Sequence, residues 1–336
     1  MKPFTTIDEQ IEILKSRNLK FLDEASAKKS LTFFGYYEIV NGYKDYLLDP
    51  DNKEYFKNDA TFEHLFALYN MDKDLQAAVL DATLDFELML KAAMSYVIGE
   101  EFTSDQNNYL RKENYKTGRI HTRSDGSKYY DIDSTFIKFN KILNDNKEPF
   151  KHYRNVHENT PTWILFKGAT IGNMMHFFKL QRGNIKDKII SIMFGVPIEI
   201  IRTDKDNIIK NLFSDLLSLV FSFRNRAAHS GRIYNYKPDV TNIRYNEILH
   251  SRMNVNEALY RKGFGNNDLF TLYYGLTFLQ NRMVSKKLAE SIKLTLDKHI
   301  TLYKEDKPNL LKCIGYYDYT TDNSLENIFN KILLVK

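Results

Sequence analysis

Apolar residues recur at steps of three and four along most of this chain, and that period predicts helices rather than strands. The longest run covers residues 62–98, where Phe62, Leu65, Phe66, Leu68, Tyr69, Leu75, Val79, Leu80, Leu84, Leu88, Leu90, Ala93 and Val97 follow it. Thr61 is placed to cap this helix, and neither Gly nor Pro interrupts it before Gly99. At about 1.5 Å per residue it spans roughly 55 Å, enough for the backbone of a bundle. Glu87 lies among apolar neighbours. It reads either as a surface residue or as a core-side carboxylate paired with an Arg, for which Arg224 is the candidate. A second strong pattern, Leu212, Leu216, Leu219, Val220 and Phe223, predicts a helix over about 205–229. Gly231 suits a left-handed position after its end, and Pro238 follows soon after.

Shorter patterns fill the remainder. Thr6-x-x-Glu9 is a capping box that predicts a helix over 7–17, with Ile7, Ile11, Leu14 and Ile13 on its apolar stripe. Another helix is expected at 24–34. The aromatic stretch from Phe33 to Tyr43 holds Gly35 and Gly42, which predicts a tightly packed bend. Its tyrosines read as core, with base stacking on RNA as the sharper alternative. Residues 100–132 are polar and turn-rich, and read as an exposed insertion. The basic run through Lys116, Arg119, His121 and Arg123 in it reads as solvated loop, with RNA contact as the alternative. Helices follow near 134–145, with Ser134 as cap, near 185–194 and near 198–202. Pro161 suits a helix start, and Trp163 reads as core. Residues 232–266 look irregular, 268–304 suggest two helices with Leu269, Leu272, Tyr273, Leu276 and Leu279 on one face, and a short helix is expected near 324–334. The fold class is therefore all-α. The expected divisions are an N-terminal region 1–60, a helical domain 61–236 carrying the insertion, and a C-terminal helical extension 237–336.

Composition changes this picture little. Hydrophobic residues at 43% and charged residues at 27% of 336 describe an ordinary globular protein of one large or two smaller domains. Only 7 Pro and 14 Gly stand against 22 Tyr and 23 Phe, which agrees with a mainly helical chain. A net charge of +5 permits a polyanionic partner without demanding one. The single Cys313 excludes a disulfide framework or a Cys-based zinc site within one chain and fits a reducing cytoplasm. There is no apolar signal core in MKPFTTIDEQ and no run of about 20 apolar residues, so a cytoplasmic location without membrane contact is expected. Gly-rich phosphate loops, a His-Glu-x-x-His helix and a Gly-x-Ser-x-Gly elbow are all absent. His64, His121, His157, His176, His250 and His299 are dispersed and read as surface or satisfied core residues, so no metal and no cofactor is expected.

The chemistry concentrates in Phe221–Asn235. Asn225 and His229 are four apart and share a helix face. Arg224 and His229 are five apart, about 140° round a continuous helix. They converge on one ligand only near a helix end, at a kink or through a partner chain. Partial negative charge at a helix end favours imidazolium while a nearby Arg opposes it, a balance that would suit His229 to acid–base work near neutrality. Arg224 and Arg226 present planar donors suited to phosphate oxygens. Such a group fits phosphodiester cleavage by an internal 2′-hydroxyl, which needs proton transfer and charge neutralisation. The plainer reading is that basic residues are simply favourable at a helix C-terminus.

These residues carry a resemblance. The chain resembles the bacterial Abi family of the AbiD/AbiF type, linked to abortive phage infection. The matching stretches are Gln10-Ile11-x-x-Leu14-Lys15-x-Arg17-Asn18-Leu19; Phe34-Gly35-Tyr36-Tyr37 with Asn41-Gly42-Tyr43; Leu68-Tyr69-x-x-Asp72-x-x-Leu75 with Glu87; and His152-Tyr153 with Pro161-x-Trp163 and Gly172. Arg224-Asn225-Arg226-Ala227-Ala228-His229 is similar to the Arg-x4-6-His motif of the HEPN superfamily. The resemblance implies a HEPN-like helical bundle and a metal-independent endoribonuclease whose composite site needs two copies of the motif in a homodimer. It implies proton transfer by His229, phosphate binding by Arg224, orientation by Asn225, further RNA contacts from Arg226 and Arg232, a supporting Glu87, and products with 2′,3′-cyclic phosphate ends. Gln76 departs from the pattern, which often has a basic residue there. Residues 237–336 resemble nothing known and suit a substrate, regulatory or antitoxin-binding region. A toxin-like RNase held by an antitoxin RNA or protein is one expectation. A non-cleaving protein working with a small structured RNA is the alternative, and a pure protein-interaction bundle a third.

Overall fold

At the start of the chain the Glu9 N–H donates to Thr6 Oγ1 (3.3 Å) and the Thr6 N–H donates to the Glu9 carboxylate (2.7 Å). Helices thus begin where the capping box predicts. The computed structural model describes residues 4–316. The expected helix near 324–334 and the tyrosines at 317 and 319 lie outside the described residues. In order, the helices are α1 Ile7–Ser16, α2 Glu24–Phe34, α3 Phe62–Phe102, α4 Gln106–Tyr109, α5 Asp131–Leu143, α6 Phe150–Val156, α7 Thr162–Gly168 and α8 Ile171–Leu180. They continue with α9 Gly183–Phe194, α10 Ile198–Arg202, α11 Ile208–Ala228, α12 Glu247–Arg252, α13 Glu257–Arg261, α14 Leu269–Leu276, α15 Met283–Leu302 and α16 Lys307–Ile314. The one sheet among the described residues is a hairpin, β1 Ile120–Thr122 antiparallel to β2 Lys128–Tyr130. The fold is all-α. No helix among the described residues is long and apolar enough to cross a membrane.

The chain divides into two compact units, and the first draws on distant segments. Among the described residues, the first contains those up to Ala78, Arg226–Tyr236 and those from Ala289 to Tyr316. Its core includes Ile11, Leu14, Leu31, Leu65, Leu75, Ile233, Ile292, Leu296 and Leu310. The second contains Val79–Asn225 and Lys237–Leu288. There Phe139 meets Phe177 edge-on at 5.0 Å, and Phe213 packs on Phe178 and Phe194 at 5.1 and 5.3 Å. Rings of this size dominate burial energy, each contributing about 1.5–3 kcal/mol.

Several expectations need correction. Helix α3 runs through Gly99 to Phe102, because Val97 and Ile98 are fully buried and one glycine costs only about 1 kcal/mol against alanine. Leu84 and Leu88 do not face the core; Thr83, Phe86 and Glu87 take the inward positions instead. Thr83 can turn inward because its hydroxyl donates to the Val79 carbonyl (2.7 Å). Trp163 is 51% exposed rather than core. Tyr37 is 74% exposed, since the turn after Gly35 sends Ile39 and Val40 inward, whereas Tyr43 is buried as expected. The helix expected from Ser134 starts at Asp131, because the hairpin runs straight into it and the Tyr130 N–H donates to Asp133 (2.8 Å). Within 100–132, Tyr109 and Tyr115 are buried, while most of the rest of the segment is exposed as expected. Residues 232–266 include α12 and α13 rather than irregular chain alone.

Candidate functional site

Helix α11 carries the basic stretch, and its fully buried Leu216, Leu219, Val220 and Phe223 fix its rotation. Hydroxyls of Ser214, Ser218 and Ser222 donate to carbonyls four residues back, at 2.9, 3.1 and 3.1 Å, and Ser222 Oγ also lies 3.2 Å from Thr241 Oγ1. Arg224 follows, half-buried, with Nε 3.5 Å from Glu87 Oε2. Glu87 is buried and also holds Lys91 Nζ at 2.7 Å. The carboxylate anticipated as an Arg partner is therefore in place. The 3.5 Å contact is an ion pair without hydrogen-bond alignment, since neither atom finds a hydrogen-bond partner. Asn225 is half-buried, and its side chain makes no hydrogen bond among the described residues.

The helix ends at Ala228, between Arg224 and His229. The expected left-handed residue is Ser230 (φ +56°), not Gly231. Ser230 N–H donates to the Ala227 carbonyl (3.1 Å) and Gly231 N–H to the Arg226 carbonyl (2.9 Å). Gly231 is needed for a different reason. A Cβ there would lie 2.3 Å from Arg226 Nε, so only glycine lets the Arg226 side chain fold over the turn. Arg226 Nε donates to the Arg232 carbonyl (3.1 Å), and its guanidinium lies 5.1 Å from the centre of the Tyr236 ring. Arg232 in turn donates to the Gly42 carbonyl. Both residues named as RNA contacts thus also have structural partners. His229 is exposed, and its ring is bonded to nothing among the described residues.

Asp72 organises the backbone that follows. It is fully buried and accepts from the N–H groups of Ile233 (2.9 Å) and Tyr234 (2.7 Å) and from the Tyr43 hydroxyl (2.7 Å). Gln76, the departure from the family pattern, is the fourth donor at 3.3 Å. Burial pushes the Asp72 carboxyl above the usual range, and the four donors oppose it. Burial first, then the Asp72 charge, raises the Tyr43 phenol strongly. Asp72 was legible only as part of a motif. The available signal was an acidic residue inside the apolar face between Leu68 and Leu75.

The histidines divide. His250 is a satisfied core residue, with its ring nitrogens on the main-chain oxygens of Asn246 (2.8 Å) and Gly265 (3.1 Å). Burial lowers its pKa. His64 and His299, by contrast, converge on Asp306. Residues 242 and 7 positions apart gave no spacing signal for this.

No curated protein and no solved structure matches the chain. The family model described as "Abi-like protein" matches residues 29–235, more than half of the chain. That span contains the aromatic bend, the Asp72 hub, Glu87 and the Arg224–His229 stretch, and the chain belongs to the Abi-like protein family.

Proposed function

We propose that this chain is an abortive-infection protein that cleaves RNA as a metal-independent endoribonuclease of the HEPN superfamily, AbiD/AbiF type. The observation that carries the reading is the state of the basic stretch. Arg224 is oriented by buried Glu87 and Arg226 by the Arg232 carbonyl, whereas the exposed His229 ring keeps both nitrogens free for proton transfer. In the proposed reaction the RNA 2′-oxygen attacks phosphorus and the bond to the 5′-oxygen breaks. His229 takes the 2′-hydroxyl proton, and a second His229 supplies one to the leaving oxygen. Arg224 neutralises the phosphorane charge and Asn225 orients the phosphate. The products are a 2′,3′-cyclic phosphate and a 5′-hydroxyl.

The second copy comes from a homodimer in this reading. Leu84, Leu88 and Tyr96 form an exposed apolar strip on α3, which supports a covered face. The chain then acts as a toxin restrained by an antitoxin RNA or protein in the cytoplasm.

The test is cleavage of pooled cellular and structured RNAs by wild-type protein and His229→Ala, with EDTA present and product ends mapped. His229→Ala is expected to lose cleavage by about 10²–10⁴-fold while keeping RNA affinity. Undiminished cuts in the variant, or 3′-hydroxyl ends, would overturn the assignment. A non-cleaving RNA-binding role is a second reading, favoured by the exposed Phe33 and Tyr37 beside Gly35, which offer rings for base stacking. Tight, salt-dependent RNA retention without cuts by either protein would favour it.

A further inference from the structure

His64 lies in the first turn of α3, His299 in the last turn of α15, and Asp306 at the start of α16. All three are buried, Asp306 completely. Both histidine Nε2 atoms sit 2.7 Å from the same carboxylate oxygen, Asp306 Oδ2. The other oxygen, Oδ1, is buried and meets no hydrogen-bond donor among the described residues. A half-satisfied carboxylate in such a place is expensive. Tyr303 stacks on His64 with ring centres 3.9 Å apart and planes 6° from parallel, and it lies 5.3 Å from His299. That ring fixes the orientation of both imidazoles. A cavity of about 210 Å³ opens beside the cluster, walled by His64, Asp306, Tyr303, Tyr46 and Lys57. The Tyr46 hydroxyl donates to the Glu305 carbonyl (3.4 Å) and also lies within reach of the Asp306 carboxylate.

We propose that His64, His299 and Asp306 bind one zinc ion, which clasps the C-terminal segment of the chain to the part shared with the family. The ligand atoms already lie within 4.8 Å of one another. Zinc takes imidazole nitrogen and carboxylate oxygen at about 2.0–2.2 Å, and a tetrahedral set places neighbouring ligand atoms roughly 3.3 Å apart. The two 2.7 Å contacts need to open by only about half an ångström. Binding needs each imidazole in the Nδ1–H tautomer, with the Nε2 that now faces the carboxylate free of its proton and its lone pair turned to the ion. The ion would give Oδ1 the partner it lacks, and the cavity leaves room for a water as fourth ligand. His64 lies inside the matched span 29–235, whereas His299 and Asp306 lie beyond it. The ion would therefore tie α15 and α16 to α3. It would take no part in phosphodiester cleavage, and the inference does not depend on the RNase reading.

The experiment uses the full chain, dialysed against chelator, exposed to Zn²⁺, desalted and assayed for bound metal. Co²⁺ replaces Zn²⁺ in a parallel run as an absorption probe of the ligand set. One zinc per chain is expected in wild type and in His157→Ala, which removes an exposed histidine elsewhere. Binding weaker by about a hundredfold is expected in His299→Ala and in Asp306→Asn, which keeps the side-chain shape. Wild type that retains no zinc and shows no tetrahedral Co²⁺ spectrum overturns the site whatever the variants do. Variants that are folded by circular dichroism and still bind like wild type overturn the ligand assignment.

Discussion

Asp72 shows how one side chain does work that no spacing rule assigns to it. Its carboxylate replaces regular secondary structure for the backbone of Ile233 and Tyr234 and fixes the Tyr43 hydroxyl. Removing it leaves two buried amides and a buried phenol without acceptors. Asp72→Ala is expected to destabilise the fold by about 3–5 kcal/mol in urea denaturation. A loss under about 1 kcal/mol would mean that the neighbouring groups find other partners. The residues named from sequence fared unevenly in what can be read from contacts. Glu87 was recognised as odd because a charge interrupts an apolar face, and its Arg224 partner is there. Gly231 was assigned a left-handed turn, but Ser230 makes that turn and Gly231 makes room for Arg226. Backbone dihedrals and side-chain clearance are different demands that read identically as a glycine.

Among the elements, α3 is the most instructive. The period predicted much of its core, though Leu84 and Leu88 face outward and Phe86 inward, because a long apolar stripe has few alternatives in water. Its end was missed because Gly99 looks like a stop. A Cβ at Gly99 would meet nothing closer than Thr162 Oγ1 at 3.9 Å. Gly99→Ala is thus expected to raise stability by about 0.5–1 kcal/mol, read as a higher thermal midpoint. A lower midpoint would show that the helix needs the glycine here. At Gly168 the same change has the opposite expectation, since a Cβ would lie 2.5 Å from Ile142 Cγ2. The start of α5 was misread for a related reason. Ser134 is a good cap locally, but the hairpin delivers the chain to Tyr130 already aligned with Asp133. Local capping preference is worth about 1 kcal/mol and yields to such a constraint.

For the whole molecule, the apolar strip of Leu84, Leu88 and Tyr96 gives the proposed dimer its test. Leu88 is 64% exposed, so Leu88→Glu is expected to change stability by less than about 0.5 kcal/mol while shifting dimer to monomer in light scattering. A wild-type chain that is monomeric at micromolar concentration would remove the composite site from consideration. The sequence by itself determined the all-α class, most helix positions and the ordered motifs that mark the Abi-like family, because period, caps and motif order are local properties of the chain. Only the tertiary structure decided which residues share a unit, since the first unit joins residues up to Ala78 with Arg226–Tyr236 and with the chain from Ala289. It alone brought Asp72 to Ile233 and Tyr234, and His64 and His299 to Asp306. Those contacts depend on how buried polar groups find partners once the apolar faces have packed, and sequence spacing carries no record of that choice.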